Sequence, residues 1–214
     1  MGRIATCFAA WSFPPYKARS ALARMNKQGY VAPDANIHHA DLLLADNVFL
    51  GERVVIYQGR EGGSVRIGKG SHIHRDCIIE TGFGGSLTIG ADTHIQPRCQ
   101  FSSYLGSIEI GSFVQIAPYC CFYPYNHGFA PGELIKKQPL QTKGNIIIDD
   151  DAWLGVGVLV LDGVRIGTGA VIGAGSVVSR NIPDEAIATG IPARVVKMRS
   201  DLVKGKIQEQ SSLS

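Results

Sequence analysis

An aliphatic residue returns every six positions along most of this chain. In the C-terminal half the series is unbroken: Leu154, Val160, Ile166, Ile172 and Val178 lead successive hexads. The fifth place of each hexad holds a small or aliphatic residue, namely Val158, Val164, Ala170, Ser176 and Ile182. Upstream the same phase is led by Val31, Ile37, Leu44, Leu50, Ile56, Ile67, Ile73, Ile79, Ile89, Ile95, Phe101, Ile110, Ile116, Phe122 and Ile148. A period of six with two inward positions matches neither the 3.6 of an amphipathic helix nor the simple alternation of a strand. It predicts short strands separated by corners, the signature of a repeat architecture.

The interruptions are as informative as the repeat. Extra residues fall between Ile56 and Ile67, Ile79 and Ile89, Phe101 and Ile110, and Phe122 and Ile148, so every third hexad is lengthened. If three hexads close one coil of a triangular prism, all the insertions leave from one edge, stacked at the roughly 4.8 Å spacing of paired strands. The fifth-place residues Cys77, Cys99 and Cys120 then stack inside consecutive coils as small buried hydrophobes, while Cys121 points the other way and is the candidate reactive thiol. Residues 1–30 lie outside the repeat and carry a short helix from Tyr16 to Gln28, ended by Gly29. The repeat region is 31–182 with an inserted loop at 123–147, and 183–214 is a C-terminal extension whose tail from Lys204 is too polar to pack.

Composition narrows the function classes. The 26 glycines follow no collagen period and form no linker, so they answer a regular backbone need. A net charge of +3 without a basic run gives no nucleic-acid footprint but leaves room for a small anionic ligand. Five cysteines at irregular spacings argue against a disulfide framework. The apolar stretch Ile4 to Phe13 is broken by Thr6, Cys7 and Ser12 and halted by Pro14-Pro15, too weak for a membrane span. A cytoplasmic location is the expectation.

From Asn145 onward the chain reads Asn145-Ile146-Ile147-Ile148-Asp149-Asp150-Asp151-Ala152-Trp153-Leu154-Gly155, then Ile172-Gly173-Ala174-Gly175-Ser176-Val177-Val178-Ser179-Arg180-Asn181-Ile182-Pro183, and closes with Gly190-Ile191-Pro192-Ala193-Arg194-Val195-Val196. This ordered set resembles the hexapeptide-repeat acyltransferases, in particular the maltose and galactoside acetyltransferases and the O-acetyltransferases of cell-surface polysaccharide synthesis. The resemblance implies a left-handed parallel β-helix, a homotrimer with each site between two subunits, and acetyl-CoA as acyl donor. The N-terminal segment does not match the maltose acetyltransferase version, so the resemblance does not carry that substrate.

Residue by residue, the resemblance makes His127 of Asn126-His127 in the long insertion the general base, with Asn126 beside it. Imidazole titrates near pH 6.5 as a free side chain and can take a proton from a sugar hydroxyl. The same resemblance lays the pantetheine arm along Gly155, Gly157, Ala174 and Ser179, and sets Arg180 and Arg194 against the CoA phosphates with Lys197 and Arg199 nearby. Glu133 and Asp149 to Asp151 are candidates to orient His127. The other histidines, His38, His39, His72, His74 and His94, fall at positions expected to face outward, and their spacing does not match the three-histidine zinc pattern of the γ-class carbonic anhydrases. No metal site is expected. The reading is O-acetyl transfer from acetyl-CoA to a sugar or related small acceptor in a ternary complex; the alternatives are N-acetyl transfer to an amino or nucleotide sugar and a non-catalytic scaffold.

Overall fold

The computed structural model describes residues 15–202, which wind into a triangular solenoid. Each coil contributes one short strand to each of three sheets. Sheet I runs in spatial order Tyr30–Val31, Phe49–Leu50, His72–Ile73, His94–Ile95, Gln115–Ile116, Trp153–Leu154, Val171–Ile172 and Ala186–Gly190, with Ala193–Met198 added antiparallel at its end. Sheet II runs Asn36–His38, Val55–Gln58, Ile78–Gly82, Gln100–Tyr104, Cys121–Tyr123, Leu159–Leu161 and Val177–Val178. Sheet III runs Leu42–Leu44, Val65–Ile67, Leu87–Ile89, Ile108–Ile110, Ile146–Ile148 and Arg165–Ile166.

The hexad leaders are the inward residues, stacked in register. Leu50, Ile73, Ile95, Ile116, Leu154 and Ile172 form one ladder in sheet I. Sheet II stacks Ile37, Ile56, Ile79, Phe101, Phe122, Val160 and Val178. The rings of Phe101 and Phe122 lie 4.6 Å apart and nearly parallel. Three ladders close on one another into one continuous core, so burial rather than local propensity holds each two- or three-residue strand.

All four insertions leave between sheets II and III, which is the single edge the spacing predicts. Cys77, Cys99 and Cys120 are fully buried, and each thiol donates to a carbonyl of the next coil, those of Gln96, Ala117 and Gly155, at 3.2–3.3 Å. Cys99 is pushed far above the usual thiol range by its thiol contacts with Cys120 and Cys77 and by burial. Cys121 points outward as expected, but it is half-buried and burial raises its pKa too, which lowers its thiolate fraction.

The histidine expectation needs correction. The N-terminal helix Pro15–Met25 packs on the outer side of sheet I. Under it His72 is 1% and His74 8% exposed. Ser20 Oγ shares a hydrogen bond of 3.1 Å with His72 Nδ1, the His72 and His94 rings stack at 4.6 Å, and Phe49 packs against both His72 and His74. Desolvation, reinforced by His94 and, for His72, by Arg24 and His74, lowers the pKa of His72 to about 4. For His74 desolvation and His94 outweigh the opposing pull of Glu52, again giving about 4. After Pro183 the C-terminal extension forms the hairpin of Ala186–Gly190 and Ala193–Met198 that continues sheet I. The tail from Lys204, and the apolar stretch Ile4 to Phe13, lie outside the described residues.

Two outcomes follow for stability. Replacing Cys99 by Asp should abolish the cooperative thermal transition, because an unpaired charge in this column costs several kcal/mol, and Phe122→Ala should cost about 3–5 kcal/mol in chemical denaturation. An unchanged melting temperature for Cys99→Asp would contradict the stacked core. For the buried histidines the sign is set by linkage: the unfolded chain takes up protons below about pH 6.5 that His72 and His74 refuse until about pH 4. Stability should therefore fall as pH drops through that window, by up to about 3 kcal/mol per histidine. Urea denaturation of His72→Gln from pH 7.5 to 4.5 should show a shallower slope than the parent chain, and an equal slope would refute the assignment.

Candidate active site

The long insertion is an ordered structure. Asn126–His127 pairs antiparallel with Leu140–Gln141, placing His127 opposite Leu140. Gln138 ties the loop to itself: Ala130 N–H donates to its Oε1 at 2.8 Å, and its Nε2 donates to the carbonyls of Ala130 and Glu133 at 2.9 and 3.0 Å. Gly128 is needed between them, since a Cβ there would lie 2.9 Å from Gln138 Cβ. At the loop's base Lys143 N–H donates to the buried Asp162 carboxylate at 2.9 Å. His127 and Asn126 are both exposed on this ribbon, while Phe129, Leu134 and Ile135 form its apolar tip.

The residues expected to hold the acyl donor fall on two edges. Gly155, Gly157 and Ala174 line the edge between sheets I and II in the last coils. Gly155 abuts the next coil so closely that a Cβ would sit 2.6 Å from Ala174 N. Gly157 has φ +69° and nothing within 4 Å of an added Cβ, so that corner favours glycine and stays open. Arg194 continues the same edge one turn further, because Gly190 N–H donates to Ser176 Oγ at 3.0 Å and the hairpin turn brings Ala193-Arg194 back beside it. Arg194 is exposed and its Nη1 donates only to the Ala193 carbonyl. Ser179 and Arg180 instead follow Val177–Val178 onto the edge between sheets II and III, exposed. Arg180 makes no ion pair among the described residues.

Several expected neighbours are occupied elsewhere. Asp149, Asp150 and Asp151 sit on the edge between sheets III and I, where Arg165 Nε donates to Asp149 at 2.7 Å, Ser112 N–H donates to Asp150 at 2.7 Å, and Arg199 reaches Asp151 at 3.3 Å. Within the chain none of the three is hydrogen-bonded to His127. Arg199 is committed to Glu185, Asp151 and the Gly169 carbonyl rather than free for phosphate. A concavity of about 430 Å³ over sheet III is lined by Thr88, Glu109, Ile147, Asp149 and Asp150, and neither His127 nor any residue expected to hold the donor lines it. Among the described residues no group of three or more His, Cys, Asp or Glu is arranged to hold a metal ion, and no helix is long and apolar enough to cross a membrane.

Sequence reasoning missed a group on the outer side of sheet II. Tyr57, Glu80, Ser102 and Tyr123 each follow a hexad leader of sheet II, one coil apart, and so share a column. Tyr104 and Tyr125 extend it toward His127. Their common place directly after the leader was a legible signal.

Known proteins resemble this chain in parts. Residues 145–180 match the model of the bacterial transferase hexapeptide (six repeats) family. A galactoside O-acetyltransferase of Lactococcus lactis subsp. lactis is 45% identical over 67 residues, 31% of this chain and 32% of that protein. A 2,3,4,5-tetrahydropyridine-2,6-dicarboxylate N-acetyltransferase of Staphylococcus aureus is 40% identical over 57 residues, 27% of this chain and 24% of that protein. The chain therefore spans a third or less of these curated relatives in matched sequence. The crystal structure of the polySia-specific acetyltransferase NeuO superposes with TM-score 0.63 at 27% identity, covering 76% of this chain and 67% of that one. A variant of AntD, an N-acyltransferase from Bacillus cereus in complex with dTDP and coenzyme A, superposes with TM-score 0.60 at 22% identity over 86% of this chain and 88% of that one, a likeness of fold alone. Residues 145–180 thus carry hexapeptide repeats of the bacterial transferase type, and the chain folds as a left-handed parallel β-helix like these acyltransferases.

Proposed function

We propose that the protein transfers an acetyl group from acetyl-CoA to a hydroxyl of a saccharide or related small acceptor, with His127 as general base. The observation that carries this reading is the ribbon itself: the solenoid's one long insertion holds an exposed imidazole in a hydrogen-bonded frame. A solvated surface histidine needs no such frame. The likeness to O-acetylating relatives supports the donor and the reaction class.

The track of Gly155, Gly157 and Ala174, ending at Arg194, fits an extended pantetheine arm. Missing side chains let a ligand approach the backbone at the corners, and a guanidinium at the end of the track suits a phosphate. Bound there, the donor supplies an activated acyl thioester. His127 would take the proton from the acceptor hydroxyl as its oxygen bonds to the acyl carbon, and would return that proton to the departing thiolate as the carbon–sulfur bond breaks. Asn126, beside His127, has an amide free to hold the acceptor. Within one chain the small-residue track and the ribbon leave from neighbouring edges, which favours a homotrimer whose sites lie between chains.

N-acetyl transfer is the second reading, favoured by the N-acetyltransferase of Staphylococcus aureus among the sequence relatives. Profiling acetyl-CoA consumption against sugars, amino sugars, nucleotide sugars and amino acids separates the two.

His127→Ala should leave the melting temperature, the assembly and CoA affinity close to those of the parent while turnover falls about 10²- to 10⁴-fold; full activity in that variant would remove the base assignment. Arg194→Ala should weaken CoA about three- to tenfold, more than dephospho-CoA, with added salt narrowing the gap. Calorimetry showing no CoA binding by the intact protein would overturn the transferase reading in favour of a scaffold.

A further inference from the structure

The outer side of sheet II carries a built cluster that neither the repeat nor the donor track requires. Tyr104 lies flat against the backbone: a Cβ on Gly82 would come within 2.4 Å of its ring, and one on Gly59 within 2.9 Å of its hydroxyl. Two glycines in neighbouring coils thus make its seat. From Tyr104 the aromatic surface continues to Tyr125 at 5.5 Å and then to Tyr123 at 6.0 Å between ring centroids, with Phe83 on the other flank at 6.0 Å. Tyr125 stands two residues before His127, so this surface leads into the ribbon.

Beneath the rings sits a carboxylate. Tyr57 lies beside Glu80 and Tyr104, and Ser102 Oγ donates to Glu80 Oε2 at 3.2 Å. Burial, with Tyr104 and Glu80 alongside, holds the Tyr57 phenol well above its usual range, so it stays protonated and available as a donor. No lysine or arginine among the described residues is paired with Glu80.

The chemistry of a fitting ligand follows. Half-buried tyrosine rings offer flat apolar surface with polar tips, which suits the C–H face of a pyranose. A carboxylate held only by hydroxyl donors has lone pairs left for the hydroxyls of a ligand. It also repels phosphate or carboxylate groups, because no cation offsets it. We propose that the shelf of Tyr104, Tyr123 and Tyr125 with Glu80 is the acceptor subsite, and that it takes a neutral, hydroxyl-rich sugar ring in preference to an anionic or nucleotide-linked one. The role as acceptor subsite rests on acyl transfer at His127; the sugar-binding surface itself does not.

The test separates the two. Saturation-transfer NMR on the full chain without acetyl-CoA, with methyl β-D-galactopyranoside and methyl α-D-glucopyranoside as probes, should show transfer to the neutral rings and little to N-acetylneuraminic acid or dTDP-glucose. Tyr125→Ala should weaken glycoside binding about tenfold, the size of one lost aromatic contact. Glu80→Gln, which keeps the shape and removes the charge, should narrow the preference for neutral over anionic sugars. In turnover, Tyr125→Ala should raise KM for the glycoside about tenfold and leave KM for acetyl-CoA unchanged. Equal glycoside binding by Tyr125→Ala, or tighter binding of the anionic sugar by the parent chain, overturns the proposal. So does loss of the parent's oligomeric mass in Tyr125→Ala, which would make this face a contact between copies. Because the binding arms contain no donor, they stand or fall independently of what His127→Ala does to catalysis.

Discussion

Everything in this molecule depends on in-register stacking of inward aliphatic residues in three parallel sheets. No strand of two or three residues is stable by itself, so each is held by the coil on either side and by the core that all share. That constraint fixes what the corners must do. At most of them the chain turns through a left-handed backbone conformation, and residues such as Asn47, Asp92, Phe113 and Tyr119 adopt positive φ in the N-terminal and middle coils. In the last coils Gly157, Gly163, Gly169 and Gly175 take over those places. The glycine content is thus a response to corner geometry, and a left-handed corner without a side chain is also a place where a ligand can reach the backbone.

The same constraint decides where variation is allowed. An extra residue inside a ladder would turn every following inward side chain to the outside, so insertions are confined to corners. Here they share the edge between sheets II and III. The sheet II strands lengthen toward that edge, reaching Gly82 and Tyr104. This lengthening places outward residues beyond the hexad, and Tyr104 of the tyrosine cluster is one of them. The long ribbon leaves from the same edge one coil later. Candidate chemistry accumulates where the repeat tolerates departure from itself.

Legibility in the sequence divides along the same line. The hexad leaders, the shared edge and the cysteine column were legible because each depends on a neighbour exactly one coil away, and that distance is written in the spacing. His72 and His74 were not, because what buries them is a helix outside the repeat, and periodicity says nothing about where such a helix docks. The hairpin of Ala186–Gly190 and Ala193–Met198 escaped for a related reason: an antiparallel return has no six-residue signature. Asp149 to Asp151 looked close to His127 because they follow the insertion in sequence. A coil puts consecutive hexads on different faces, so nearness in sequence becomes separation by an edge.

The ribbon that carries His127 shows how a long insertion is kept ordered on a repeat scaffold. The coils consume their strands' backbone groups in ladders with one another, and an insertion as long as this one would ordinarily be loose. Gln138 supplies the missing order by presenting both ends of its amide to the loop backbone, and Asp162 fastens the loop's base to the next coil. A general base loses effect steeply when it is misplaced by about an ångström, so in the proposed reaction His127 would depend on one glutamine that takes no part in the chemistry. Replacing Gln138 by Ala removes three hydrogen bonds in the loop and none in the core. It should therefore depress turnover on the acceptor while leaving the thermal transition in place, and a loss of both together would show that the ribbon belongs to the folding core after all.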